Sequence, residues 1–354
     1  MFTLAYDDAL LFSICNYLRR KNMDHLYLNE LKEKFDGKKP TMQIITHDDM
    51  DGYGAAAVVF HAFYDAKIVT KDDCTICHYN YSDKIPSIDK SADIVFITDY
   101  SISNEGFMKD LLEAFTANKQ LIFWCDHHKT SIDNCTGKYE KLKDIPGIRS
   151  EEYCGTALAW FYLHPGKNKL PTGVNLVDDY DCWKKKNPNS DFLNAAFNFM
   201  GSYRKELYDS KSLIWKDLVN EGSHVSELTR YGSDFCKMSK DQDAANIRRN
   251  GWIGILDKYP KLKLICLNND SKGSQLFSDM LKSKEFPDGK YTHACAFQFD
   301  GTQFVYSIYS ADGAKPTAEE ICKSYGGGGH PGAAGFQSSK ICLKKDSEIP
   351  EEYK

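Results

Sequence analysis

Between Thr41 and about Trp183 the chain alternates short apolar runs with longer amphipathic ones. Met42–Thr46, Thr75–Tyr81, Asp93–Thr98 and Gln120–Cys125 read as strands. Gly52–Tyr64, Glu105–Asn118 and Gly155–Leu163 carry helical spacing, and Val174–Asp181 leads into a turn. Strands alternating with helices predict a parallel sheet covered by helices, an α/β domain over 41–183. Lys184 to Gly251 is charged and helix-prone without strand signals, and reads as a helical connector. Strand patterning returns at Trp252–Leu256 and Leu262–Leu267. Thr292–Phe299 and Gln303–Tyr309 flank an Asp300-Gly301 turn and read as a hairpin. Gly273–Leu281 and Glu319–Tyr325 are expected helices, so 252–354 forms a smaller C-terminal α/β domain. The first 40 residues look helical and separable, with Asp7–Arg20 as an amphipathic helix and a break at Gly37-Lys38-Lys39-Pro40.

The 354 residues hold 45 Lys and Arg against 50 Asp and Glu, a formal net charge of -5. That balance argues against long-duplex nucleic acid as a partner, because such binding rests on many basic phosphate contacts. It leaves room for a cation-assisted grip on a small phosphorylated ligand. No stretch approaches the roughly 18 apolar residues of a membrane span. The acidic-then-apolar-then-basic order at the start is the reverse of a secretory leader. Twelve scattered cysteines are then expected to be reduced thiols of a cytoplasmic protein.

Three polar clusters follow three of the expected strands. They are His47-Asp48-Asp49-Met50-Asp51-Gly52, Asp99, and Asp126-His127-His128. In open α/β sheets ligands collect at the carboxyl ends of the strands, so three such ends imply one shared site. In an extended turn His47, Asp49 and Asp51 face one way, and Gly52 lets the chain bend into the helix. Asp49 or Asp51 also suits the helix N-cap. Of the paired histidines, one imidazole can bind metal while Asp126 or the backbone orients it, and the other can donate to a phosphate oxygen. Asp126 and His128 are therefore the candidate catalytic residues. Several carboxylates crowded together need cations to stay ionised. Carboxylate plus imidazole suits Mn²⁺ best, with Mg²⁺, Co²⁺ or Zn²⁺ also compatible. Four or more carboxylates call for two ions, and a pair about 3.5–4 Å apart suits phosphoryl displacement.

A second constellation is Gly326-Gly327-Gly328-Gly329-His330-Pro331-Gly332-Ala333-Ala334-Gly335. Consecutive glycines allow backbone amides to cradle an anion in a nest, with His330 as a further donor. The Gly-Lys-Ser/Thr ending of a Walker loop is absent.

With these four motifs in this order, the stretch from Thr41 to Phe336 resembles the DHH phosphoesterases with their DHH-associated C-terminal domain. Ile97-Thr98-Asp99, Asp126-His127-His128-Lys129-Thr130 and Tyr180-Asp181-Cys182-Trp183 are most similar to the bacterial nanoRNase branch. The resemblance implies that His47 and Asp49 bind one Mn²⁺, Asp51 and His127 the other, and that Asp99 bridges them. A fourth motif supplies one more Asp. Asp178, Asp179 and Asp181 are candidates, and the Tyr-Asp-x-Trp pattern selects Asp181. His128 would contact the scissile phosphate. Gly328, Gly329 and His330 would hold the nucleotide from the second domain, across an interdomain cleft. The family's Arg in a Ser-Leu-Arg-Ser-like strand is replaced in Ser307-Ile308-Tyr309-Ser310. Tyr309 lacks the bidentate charged grip of Arg, but suits stacking on a base.

The activity so implied is metal-dependent hydrolysis of short oligonucleotides to nucleoside 5′-monophosphates. The alternative substrates are cyclic or linear dinucleotides and 3′,5′-bisphosphate nucleotides. A nucleotide sensor that merely kept the fold is the non-enzymatic alternative, and the sequence leaves a homodimer open. Other signals are set aside. Cys74-Thr75-Ile76-Cys77-His78 matches a haem-attachment pattern but alternates like a strand. Asn134-Cys135-Thr136 matches a glycosylation acceptor with nothing else pointing to secretion. His61 lies in an apolar helix and reads as packed, and Lys184-Lys185-Lys186 as a solvated face.

Overall fold

Strands that bury both faces must be apolar at consecutive positions, as Ile94–Thr98 and Leu121–Cys125 of the first sheet are. The computed structural model describes residues 25–346 apart from 36, 81–84, 202, 269–276, 278–280 and 282–290. The expected helix Asp7–Arg20 lies outside them, as does Gly273–Leu281 except for Phe277 and Leu281. The chain divides into two units, Met1–Cys236 and Lys237–Lys354.

In the first unit, α1 (Leu28–Lys34) precedes β1 (Met42–His47), α2 (Met50–Asp65), β2 (Cys74–Tyr79) and β3 (Ile94–Thr98). α3 (Glu105–Ala117), β4 (Leu121–Cys125), α4 (Lys129–Asn134), α5 (Gly155–Leu163) and α6 (Thr172–Asp181) follow. The four strands are parallel, in the order β2-β1-β3-β4. Alternate residues serve opposite faces. Ile44, Phe96, Phe123 and Cys125 pack with Val58, Phe63 and Tyr162 on one side. Ile45, Val95, Ile97, Ile122 and Trp124 pack with Phe107, Leu111 and Phe115 of α3 on the other. The two covered faces account for strands without a polar stripe. The chain passes from β1 outward to β2 and returns to β3 on the other side of β1. The topological switch point therefore lies between the carboxyl ends of β1 and β3, at His47 and Asp99.

Beyond α6, helices α7 (Pro188–Met200), α8 (Leu213–Leu218) and α9 (His224–Asn250) follow. Leu193, Phe197, Trp215, Leu218, Val225 and Leu228 pack into the core under α2 and α5, so the helix-rich stretch is built onto the first unit as far as α9. Among the described residues no helix is long and apolar enough to cross a membrane.

The second unit is a seven-stranded mixed sheet. Its strands are β5 (Trp252–Leu256), β6 (Tyr259–Asn268), β7 (His293–Phe299), β8 (Phe304–Ser310), β9 (Gly328–His330), β10 (Ala333–Ser338) and β11 (Leu343–Lys345). They run in the order β11-β5-β6-β7-β8-β10-β9, with only the β6–β7 pair parallel. The expected hairpin is present, with β7 and β8 antiparallel from His293↔Ser310 to Phe299↔Phe304. Helix α10 (Ala318–Ser324) starts with a capping box, in which Thr317 accepts from the Glu320 N–H and Glu320 accepts from the Thr317 N–H.

The glycine run is not a nest. Gly326, at φ +83°, donates to Lys323 O, and Gly327 donates to Cys322 O, the paired bonds of a Schellman C-cap on α10. The next two glycines and His330 form β9, an edge strand paired antiparallel with Ala333–Gly335. Half of the run ends a helix and half adds a strand. Tyr309 also departs from expectation. It is 7% exposed, with its ring against Phe277 at a centroid distance of 5.6 Å, and so lies in the core rather than presenting a face to a base.

Candidate metal centre

The three polar clusters converge at the switch point. His127 is the hub: its Nε2 lies 3.1 Å from Asp99 Oδ1, 3.4 Å from Asp181 Oδ2 and 3.8 Å from Asp51 Oδ2. Beside it His47 Nδ1 contacts Asp49 Oδ2 at 2.9 Å. Donor atoms of His47, Asp49 and Asp99 lie within 4.8 Å of one another, as do those of Asp99, His127 and His128. Asp99 belongs to both groups.

Each acid is held by a local device. Asp49 is the N-cap of α2 and accepts from the Gly52 N–H at 2.9 Å through Oδ1, leaving Oδ2 toward His47. Gly52 is obligatory, since a Cβ there would lie 2.0 Å from His47 O. Asp51, 2% exposed, accepts from Gly155 N at 2.7 Å and Thr156 N at 2.9 Å, at the N-terminus of α5. The helix dipole favours a carboxylate there. Asp99 sits at φ +49°, a left-handed conformation costly for a residue with a Cβ, and its N–H donates to Cys125 O at 3.0 Å. Gly155 lets α5 approach that backbone, since a Cβ would meet Asp99 Cβ at 2.3 Å.

Asp126 is fully buried, and its Oδ1 accepts from His128 Nδ1 at 2.8 Å. That bond fixes the ring and its tautomer. Of the three fourth-motif candidates, Asp178 holds Cys154 N at 3.0 Å and Lys184 Nζ at 2.6 Å. Asp179 holds Lys186 N at 2.8 Å and Ser190 Oγ at 2.7 Å. Asp181 is the one beside His127.

The electrostatics show a strained cluster of acids. Burial pushes the Asp99 carboxyl well above its ordinary value, and the charges of Asp51, Asp49 and Asp181 add to it. Burial, then Asp51, pushes Asp181 up to about 7. His127 is raised to about 9. Its burial works the other way, but is outweighed by the bond with Cys182 and the charges of Asp51 and Asp181. The His47 imidazole is raised mainly by its bond to Asp49. Asp99 Oδ2, Asp126 Oδ2 and Asp181 Oδ2 are buried without a hydrogen-bond partner among the described residues. Buried carboxylate oxygens left unsatisfied are costly, and a divalent cation would satisfy them. Asp51, Asp99, Asp181, His47 and His127 thus offer a hard-to-intermediate donor set that fits the expected ions.

Sequence reading missed four contributors. Gly155 and Thr156 shape the site through space, from a helix far along the chain. Cys182, next to Asp181, forms a candidate group with His127 and Asp181. His78 is a further support, with its Nδ1 3.2 Å from His47 O and its ring stacked on Tyr53 at 3.8 Å. It sits in β2 with Cys74 and Cys77, so the haem pattern is a strand. His61 is packed as expected, and burial lowers its pKa to about 4. The expected nucleotide-binding residues are in the second unit, where Gly329 and His330 are exposed and Gly328 is half-buried.

No protein-family model and no curated protein matches the chain. Solved structures do. The pGpG-specific phosphodiesterase PggH from Vibrio cholerae matches 84% of this chain and 93% of its own, at 14% identity and a TM-score of 0.46. The exonuclease RecJ from Thermus thermophilus, solved with Mn²⁺, matches 93% of this chain and 56% of its own, at 15% identity and a TM-score of 0.42. A DHH domain from a member of a ribosomal-protein family matches 96% and 95%, at 13% identity and a TM-score of 0.43.

Proposed function

We propose that this chain is a DHH-type phosphodiesterase that uses two divalent cations, Mn²⁺ foremost, to hydrolyse short oligonucleotides to nucleoside 5′-monophosphates. One observation carries the reading: His127 Nε2 stands among Asp99, Asp181 and Asp51, with buried oxygens of Asp99 and Asp181 left unsatisfied. In this reading His47 and Asp49 hold one ion, Asp51, His127 and Asp181 the other, and Asp99 both. When bound, such ions neutralise phosphate charge and lower the pKa of water.

The remaining chemistry belongs to the protein. Asp126 fixes the His128 tautomer through the 2.8 Å bond at Nδ1, so Nε2 can donate to a non-bridging oxygen of the scissile phosphate. The donated hydrogen bond strengthens as charge builds on that oxygen. Asp51 ties the cluster to the first turn of α5, which keeps the acids preorganised. Gly328, Gly329 and His330 keep their proposed role as nucleotide contacts, whereas a buried Tyr309 is dropped from it.

The test is a Mn²⁺-dependent hydrolysis panel: RNA oligomers of increasing length, linear and cyclic dinucleotides, and 3′,5′-bisphosphate nucleotides. The reading expects release of 5′-monophosphates, fastest from the shortest oligomers, and loss of activity in Asp99→Ala. Full activity in Asp99→Ala would overturn the proposed ligand set. Preference for one dinucleotide would shift the substrate to the alternative class.

A further inference from the structure

Cys182 is a donor that the carboxylate–imidazole account of the centre does not use. It is the C-cap of α6, with its N–H bonded to Asp178 O at 3.2 Å. The turn that follows is closed by Asp179 O, which accepts from Lys184 N at 3.0 Å. The Sγ, His127 Nε2 or Nδ1, and an Asp181 oxygen all lie within 4.8 Å of one another. The thiol donates to Asp178 Oδ1 at 3.6 Å. Lys184 Nζ, 2.6 Å from Asp178 Oδ2, supplies positive charge on that side. A second observation points to a ligand here independently. Asp99, 1% exposed and 3.1 Å from His127 Nε2, keeps a buried Oδ2 with no partner among the described residues.

We propose that Cys182 is a soft donor that joins His127 and Asp181 and gives this centre a preference for thiophilic divalent cations, Zn²⁺ and Co²⁺, over what its carboxylates alone would select. The inference rests on the cation centre proposed above and deepens it. With Asp51 and Asp99, which the reading above assigns to the same ion, Cys182 would make a mixed set of one sulfur, one imidazole nitrogen and carboxylate oxygens. Hard ions gain little from sulfur, whereas Zn²⁺ and Co²⁺ gain substantially. On binding, the thiol proton leaves to solvent and the thiolate bonds the metal.

Co²⁺ reports the bond without any substrate. Full-length metal-free protein titrated with Co²⁺ is expected to develop a thiolate-to-cobalt charge-transfer band in the near ultraviolet, which Cys182→Ser removes. In Zn²⁺/Mn²⁺ competition, Cys182→Ser should reduce the preference for Zn²⁺ at least about tenfold and leave Mn²⁺ affinity nearly unchanged. Serine keeps a hydrogen bond to His127, so a Cys182 that merely positions the imidazole predicts no change in the ratio, and that result overturns the proposal. Cys154, fully buried near Asp51, is another thiol in the region. A band lost in Cys154→Ala and kept in Cys182→Ser also overturns it. Co²⁺ binding without a thiolate band sinks this inference alone, and no Co²⁺ binding at all sinks the cation centre with it. Melting curves of the metal-free variants confirm that each is folded.

Discussion

Replacing Asp181 by Asn should stabilise the protein without metal and weaken it with metal. In the folded chain burial and the charge of Asp51 move this carboxyl from 3.8 to about 7. Below about pH 4 the carboxyl is protonated folded or unfolded, and costs nothing. Between 4 and 7 the unfolded chain releases the proton while the folded site keeps it, so stability falls as pH rises. Above 7 the penalty is complete. Three pKa units at 1.36 kcal/mol each give about 4 kcal/mol. The side chain is still 24% exposed, so solvent screening brings the expected gain in Asp181→Asn to about 2–4 kcal/mol at pH 8. For a unit of this size that raises Tm by roughly 5–15 °C. With Mn²⁺ at a thousand times its Kd, wild type gains about 4 kcal/mol that the variant largely forgoes, and the order reverses. The assay is thermal unfolding followed by circular dichroism at pH 5 and 8, in chelator and in Mn²⁺. A variant less stable than wild type in chelator at pH 8, or a gap that does not shrink toward pH 5, would refute the electrostatic reasoning.

Other expectations follow from the same geometry. Metal binding must displace protons from Asp181, raised to about 7, and His127, raised to about 9. Mn²⁺ affinity should therefore climb with pH through that range, and calorimetry in buffers of different ionisation heat should detect net proton release. Gly155→Ala puts a Cβ 2.3 Å from Asp99 Cβ, so it should cost roughly 1–3 kcal/mol in denaturant unfolding and loosen Mn²⁺ at least about tenfold. Asp126→Asn keeps the shape but perturbs the His128 tautomer, and should lower kcat about 10- to 100-fold with Mn²⁺ affinity largely kept. Thr317→Ala removes the capping box of α10 and should cost about 1 kcal/mol of stability while leaving metal binding in the first unit unchanged.

The first sheet was legible because strands covered on both faces announce themselves as apolar runs, and Ile94–Thr98 and Leu121–Cys125 match to within a residue at each start. The site was legible in part because a sheet delivers strand ends to one place. What comes from elsewhere was not. Gly155 is a helix residue whose use is visible only where α5 meets Asp99, and Cys182 gains meaning only from its place beside His127. Asp181, which the Tyr-Asp-x-Trp pattern selects, stands beside His127, whereas the bonds that occupy Asp178 and Asp179 elsewhere are visible only in the fold. The glycines misled because a run of them suits an anion, whereas two were spent on ending α10 and two on an edge strand. Tyr309 misled because the second sheet is also covered on both faces. Tyr306 and Ile308 face one core and Tyr309 the other, so the tyrosines of that stretch of β8 are packed away from a base.

Crystals of the chain soaked in Mn²⁺ and recorded at the manganese absorption edge test the central claim directly. The account predicts anomalous peaks bonded to Asp99 and His127, with His47, Asp49, Asp51 and Asp181 completing the ligands. Asp99 still paired to His127, with no peak between the ends of β1, β3 and β4, would contradict it.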